Sequence, residues 1–201
     1  MEAPKTSQKR ADIVAAAVLE FQERGFGSAR IDRIAERAQV SKRTLYKHFG
    51  SKDGLFEAIV ELVIDESKEV EISPYRPDEP LAKQLVEALA SYVTAISTDE
   101  FIGLSRVMMA EFLRDQEVSR KVLERSELQN ADFVALVKSA MDSGEIRTAD
   151  PVYATNQLVS LAKASLYWPK LLLGAPLPEA SEVNAVIEDS VAMFLNHYEA
   201  E

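Results

Sequence analysis

No cysteine occurs in the 201 residues, which excludes a disulfide framework and any thiolate metal site. Histidine is nearly as scarce. His48 and His197 stand at opposite ends of the chain, so the sequence offers neither a Ser–His or Cys–His nucleophile pair nor a metal cluster. The seven glycines fall mainly at expected helix ends, and no glycine-rich phosphate loop is formed. No apolar run approaches the roughly 18 residues needed to span a bilayer. The opening stretch MEAPKTSQKRADIV also lacks the apolar core of a signal peptide. These absences lead to the expectation of a soluble, cytoplasmic protein that is not an enzyme and carries no cofactor or metal. What is present, 47% hydrophobic and 28% charged residues, suffices for a globular core.

Charge is divided unevenly. The formal net charge is −10, but residues 1–56 sum to +4 and residues 57–201 to −14. A basic end on an acidic body suits a protein that meets a polyanion at one end while the rest stays clear of non-specific nucleic acid. The basic residues concentrate in SKRTLYKHFGSKDGLF (41–56), interleaved with Tyr46, Phe49 and Phe56.

Helical periodicity runs throughout, with no convincing alternating strand pattern, so the expected fold is all-α with about nine helices. Ile13, Ala16, Ala17, Leu19 and Phe21 suggest a first helix stopped by Gly25. Short helices are expected near 31–38 and 41–48, then a longer one from Leu55 to about Val70. The three prolines of SPYRPDEP (73–80) suggest a linker and domain boundary. Leu81–Ser97, Phe101–Leu113 and about Glu117–Ser143 follow as helices. Asp150-Pro151 starts another, through the side-chain cap and a proline at the first helical position. Its run to Leu173 should kink near Ser165–Trp168 because of Pro169. Ser181 is the candidate cap of the last helix.

Within IDRIAERAQVSKRTLYKHF (31–49), Ile34, Val40 and Leu45 can close a small core between two crossing helices. Ser41 can cap the second helix. That leaves Lys42, Arg43, Thr44, Tyr46, Lys47 and His48 outward, residue types that reach phosphates and base edges. IAERAQVSKRTLYKHFGSKDGLFEAIV resembles the DNA-binding signature of the tetracycline-repressor-like (TetR) family over about residues 9–62. RVMMAEFLRD and SLYWPKLLLGAP bear a looser likeness to its AefR-like members. The resemblance implies a helix-turn-helix head (1–52) and a helical body (53–201) for ligand binding and dimerisation. It also implies a homodimer on palindromic double-stranded operator DNA, released by a small hydrophobic effector. The alternative is a body that docks a protein partner and has no effector.

Carried over residue by residue, the DNA-binding positions are Arg30, Ser41, Lys42, Arg43, Thr44, Tyr46, Lys47, His48 and Lys52, with Lys52 expected on a phosphate. Three positions depart from the family pattern. Gln39 takes the place of a glycine in a turn requiring positive φ, at a cost of about 1–2 kcal/mol. Arg30 replaces a capping Ser or Thr, leaving Ser28 as substitute. Gly54 replaces a helix former, at up to about 1 kcal/mol, which suggests an easily displaced fourth helix that alanine would firm up. In the body, Phe101, Met108, Met109, Phe112, Phe133, Tyr167 and Trp168 are candidate pocket residues, although such a stripe is as a rule plain core. Glu111 beside them could face a cationic ligand. The dimer face is expected from Asp150–Leu173 and Ser181–Tyr198.

Overall fold

A computed structural model describes residues 5–68, 70–117, 119–120 and 130–200. Among these residues ten helices are delimited, a short helical stretch covers 116–117 and 119–120, and there is no strand. They are α1 (Lys5–Ser28), α2 (Ile31–Arg37), α3 (Lys42–Phe49), α4 (Lys52–Lys68), α5 (Leu81–Ile96), α6 (Asp99–Arg114), α7 (Ala131–Asp142), α8 (Pro151–Leu166), α9 (Trp168–Leu173) and α10 (Ala180–His197). The chain forms two compact units. One comprises Met1–Ile64 with Gly103–Ser126, the other Asp65–Ile102 with Glu127–Glu201, so α4 and α6 each run from one unit into the other.

In the first unit, α1 is broken at Gly25, whose φ of 73° and ψ of 156° leave the helical region. A left-handed φ costs glycine little and other residues much, so the stop expected there is met. The buried face of α1 carries Ile13, Ala16, Ala17 and Phe21. Leu19, expected inward, is 51% exposed, and Glu20 is buried in its stead. Spacings of three and four from Ile13 reach 16, 17 and 20, whereas 19 falls outside them. Phe26 stacks edge-on against both Phe21 and Phe56, with ring centroids 5.2 and 5.3 Å apart. This aromatic cluster ties the end of α1 to α4.

In the second unit, α8 packs against α5, α7, α9 and α10, and α5 also packs against α10. Leu85, Leu89, Ile96, Phe133, Leu136, Leu158 and Leu166 are fully or almost fully buried there. The Asp150 side chain accepts from the Tyr153 amide at 3.0 Å, with Pro151 opening α8. Pro169 cannot donate to the helix ladder, and the run breaks at Tyr167 before α9 resumes. Gly174, at φ 69°, ends α9.

Three expectations are corrected. The run foreseen over 117–143 is not one helix: residues 116, 117, 119 and 120 are helical, but Asn130 is extended and a separate helix begins at Ala131, where the Asn130 Oδ1 accepts from the Phe133 amide at 2.9 Å. Residues 118 and 121–129 lie outside the described residues. The last helix starts at Ala180 without a side-chain cap from Ser181. The proline segment is not a free linker, because it lies inside the second unit. There the buried Gln84 accepts from the Arg76 amide at 2.7 Å and donates to the carbonyls of Arg76 and Glu79. Arg76 also pairs with Glu79 and Glu87, and the Tyr75 hydroxyl bonds to Ser143 and Glu145. Prolines block helix, but backbone groups that find side-chain partners still fold compactly.

Candidate nucleic-acid interface

The turn between α2 and α3 is closed by amide-to-carbonyl bonds from Ala38 to Ile34 and from Val40 to Ala35, both at 2.9 Å. Gln39 takes a φ of 52° there, as the glycine-like position requires. Ser41 caps α3, its hydroxyl accepting from the Thr44 amide at 3.1 Å. Ile34 and Leu45 are completely buried and Val40 is half-buried, so α3 is pinned by its inner face. Its outer face presents Lys42, Arg43, Tyr46 and Lys47, with Tyr46 47% exposed. Thr44 and His48 are half-buried at its edges. The Thr44 hydroxyl shares a hydrogen bond with Ser41 at 2.9 Å. Seven of the nine candidate DNA-binding residues thus lie on or at the start of one short helix.

The other two are differently employed. Lys52 donates from its ammonium to the carbonyls of Phe26, Gly27 and Ala29 at 2.8, 3.1 and 3.3 Å, and it sits 4.7 Å from the centre of the Phe26 ring. An ammonium has three protons, and all three are used inside the protein. The phosphate expected at Lys52 would have to displace them. Arg30 precedes α2 without capping it through its side chain, and its guanidinium lies 3.8 Å from Asp32. Asp32 also holds Lys42 at 2.5 Å, so one exposed carboxylate is shared by two candidate DNA-binding cations.

Sequence reasoning missed Glu20. Its carboxylate is fully buried and accepts from the Arg30 amide at 3.4 Å, which supplies the start of α2 with an acceptor that neither Arg30 nor Ser28 provides. Arg24 and Arg37 approach it at 3.6 and 3.9 Å, and its Oε2 makes no hydrogen bond among the described residues. The signal was present as an acidic residue on the apolar face of α1. Arg37 also pairs with Glu23, whose carboxyl is held below its ordinary range chiefly by that hydrogen bond.

Gly54 requires correction. A methyl group there would lie 2.1 Å from the Phe49 carbonyl oxygen. The glycine allows the end of α3 and the first turn of α4 to approach, where Ser51 accepts from the Gly54 amide at 2.9 Å. It is a packing requirement, not a soft spot that alanine would firm.

The seven pocket candidates are divided between the two units. Phe133 is fully buried core against Tyr92, with ring centroids 6.4 Å apart. Met108, Met109 and Phe112 are half-buried and belong to the first unit. Phe101, Tyr167 and Trp168 form an aromatic cluster, with successive ring centroids 6.3 and 5.1 Å apart. Glu111 is buried and pairs with Arg114 on its own helix. An open groove of about 600 Å³ runs between α8 and α10, lined in part by Tyr153, Leu161, Met193 and Phe194. Tyr153 and Met193 are mostly exposed along it. Among the described residues no helix is long and apolar enough to cross a membrane.

Two family models match the chain. That of the bacterial regulatory proteins of the tetR family covers residues 13–59, and that of the AefR-like transcriptional repressor C-terminal domain covers 83–200. Nucleoid occlusion factor SlmA of Aliivibrio fischeri is 32% identical over 136 residues, 64% of this chain and 68% of that protein. The HTH-type transcriptional repressor SCO4008 of Streptomyces coelicolor is 41% identical over 61 residues, covering 30% of this chain but only 32% of that repressor. A TetR family regulator from Pseudomonas syringae pv. tomato superposes with a TM-score of 0.84 at 35% identity, covering 96% of this chain and 97% of that one.

Proposed function

This chain belongs to the tetR family of bacterial regulatory proteins, with an AefR-like C-terminal domain, and from that premise we propose a dimeric, effector-responsive repressor of palindromic operators. The family's members are DNA-binding transcriptional regulators, not enzymes. Each α3 lies in a major groove of cytoplasmic DNA, with the two grooves about one helical turn, roughly 34–36 Å, apart. The observation that carries this reading is the division of α3, with Leu45 sealed inside and Lys42, Arg43, Tyr46 and Lys47 turned outward. Arg43, Tyr46 and Lys47 read base edges. Lys42 and Arg30 take phosphates once they leave Asp32.

Dimerisation uses the outer faces of α8 and α10. A groove flanked by exposed Tyr153 and Met193 between two long helices is poorly served by water and well served by a second copy of the same surface. Release from DNA follows from linkage, since an effector that prefers the body conformation with misplaced heads lowers operator affinity by its differential affinity for the two states.

Selection from a random duplex pool, followed by polarisation titrations on the enriched site, tests the reading. The expected site is a palindrome. With three or four phosphates neutralised per subunit, the log–log salt slope should be about −5 to −7. Met193→Glu places a charge in the dimer face and should yield monomers in sedimentation, with operator affinity falling by about tenfold or more. An unenriched pool, or a dimer indifferent to Met193→Glu, would refute the respective part.

A further inference from the structure

We propose that Lys163 is the anion-recognising group of an effector site in the second unit, and that the effector is an amphipathic carboxylate with an aryl or acyl body. This rests on the effector reading above and adds the chemical class of the ligand.

Lys163 lies on α8, one turn before the break that Pro169 imposes. Its ammonium stands 4.7 Å from the centre of the Tyr167 ring and 5.6 Å from that of Trp168. Tyr167 in turn meets Phe101 edge-on, so the cation is attached to the one aromatic cluster among the pocket candidates. Among the described residues no carboxylate and no carbonyl accepts a hydrogen bond from it. The next lysine, Lys170, is half-buried in the same unit, and Asp99 meets it at 2.8 Å. The fold thus neutralises one of these two lysines and leaves the other to ring faces and solvent.

Ring faces attract a cation but replace none of the hydrogen bonds that an ammonium loses on leaving water. Lys163 is half-buried, and that burial holds its ammonium below the ordinary lysine range. A carboxylate supplies the missing acceptors. Its apolar body then rests against Trp168, which is 38% exposed and gives the cluster a side open to solvent. A neutral ligand would leave the ammonium as it stands, and a cationic one would be repelled by it.

Trp168 is the only tryptophan in the chain, so its fluorescence reports on this cluster alone. The experiment titrates the full-length protein with 4-phenylbutyrate and octanoate, and in parallel with their primary amides. Wild type, Lys163→Arg and Lys163→Met are compared, with thermal melts establishing that each is folded. The acids should give a saturable change that the amides do not. Affinity for the acids should fall by about tenfold or more in Lys163→Met, the loss of one charge-assisted hydrogen bond, and less in Lys163→Arg. Amides that bind as well as acids, or acids that bind Lys163→Met undiminished, would overturn the proposal while leaving an effector site of other chemistry standing. If neither acids nor amides perturb Trp168 in the wild type, the proposal fails as well. A melting-temperature screen with other apolar compounds then decides whether the effector reading fails with it.

Discussion

Replacing Gly54 with alanine puts a methyl carbon 2.1 Å from the Phe49 carbonyl oxygen. Ordinary van der Waals separation is about 3.5 Å, so the turn joining α3 to α4 would have to open by more than about 1 Å. The obstacle is backbone, which cannot rotate aside as a side chain could. Overpacking of this kind costs about 1–3 kcal/mol, and an immovable partner puts it toward the upper end. Better helix propensity in the first turn of α4 returns at most about 1 kcal/mol. A net loss of about 2 kcal/mol follows, or a melting temperature about 4–8 °C lower for a chain of this length. Phe49 is the last residue of α3, so opening the turn also tilts the helix that meets DNA. Circular dichroism melts and polarisation titrations on the enriched operator should therefore both worsen. Propensity alone predicts the opposite sign on each. A Gly54→Ala protein that melts higher than wild type and binds DNA equally well or tighter would refute the close-approach reasoning.

Lys52→Met removes three donor contacts and a cation–π pair but leaves carbonyls that water can reach; it should cost about 2 kcal/mol in chemical denaturation. Because the ammonium is already committed within the protein, the salt slope of DNA binding should change by less than about one unit. A slope shallower by about two units, one phosphate per subunit of a dimer, would return Lys52 to the interface. Asp32→Asn frees Lys42 and Arg30 from a competing carboxylate, so affinity should rise for specific and random duplexes alike in polarisation assays, with specificity narrowing. Unchanged random-duplex affinity would show that Asp32 does not restrain them. For Lys163 the folded state disfavours the charged form. The unfolded chain therefore binds more protons between the lowered folded pKa and the ordinary value near 10.5, and stability gains from this group as pH rises through that window. Melts of wild type and Lys163→Met across that range should converge as pH rises, and parallel curves would deny the effect.

The head was largely legible from its sequence because short-range rules govern it. Ser41 caps, Leu45 points inward three residues after the first helical position, and Gln39 occupies the one turn residue that demands positive φ; each is decided within a few bonds. The outward set on α3 follows from the same periodicity. Glu20 was missed, Gly54 was misjudged and the internal bonds of Lys52 were not foreseen, because the partners of all three lie elsewhere in the chain. The carbonyls that take up Lys52 come from residues 23 to 26 positions earlier, and Glu20 serves an amide ten residues on. In the body, helical spacing grouped seven aromatic and methionine candidates without showing that Phe101, Tyr167 and Trp168 form one cluster while Phe133 packs against Tyr92. Periodicity places a residue on a face without saying what that face meets.

By itself the sequence determined the all-helical class, the third helix capped by Ser41 and the break at Pro169. These depend on φ restrictions, side-chain caps and a 3.6-residue repeat, all of them local. Tertiary structure alone decided that the proline segment is tied down by Gln84, that Gly54 is a contact rather than a weakness, and that Lys163 is left with ring faces while Lys170 meets Asp99. Such outcomes depend on which groups the folded chain brings within a few ångströms, where desolvation and steric overlap outweigh local preference.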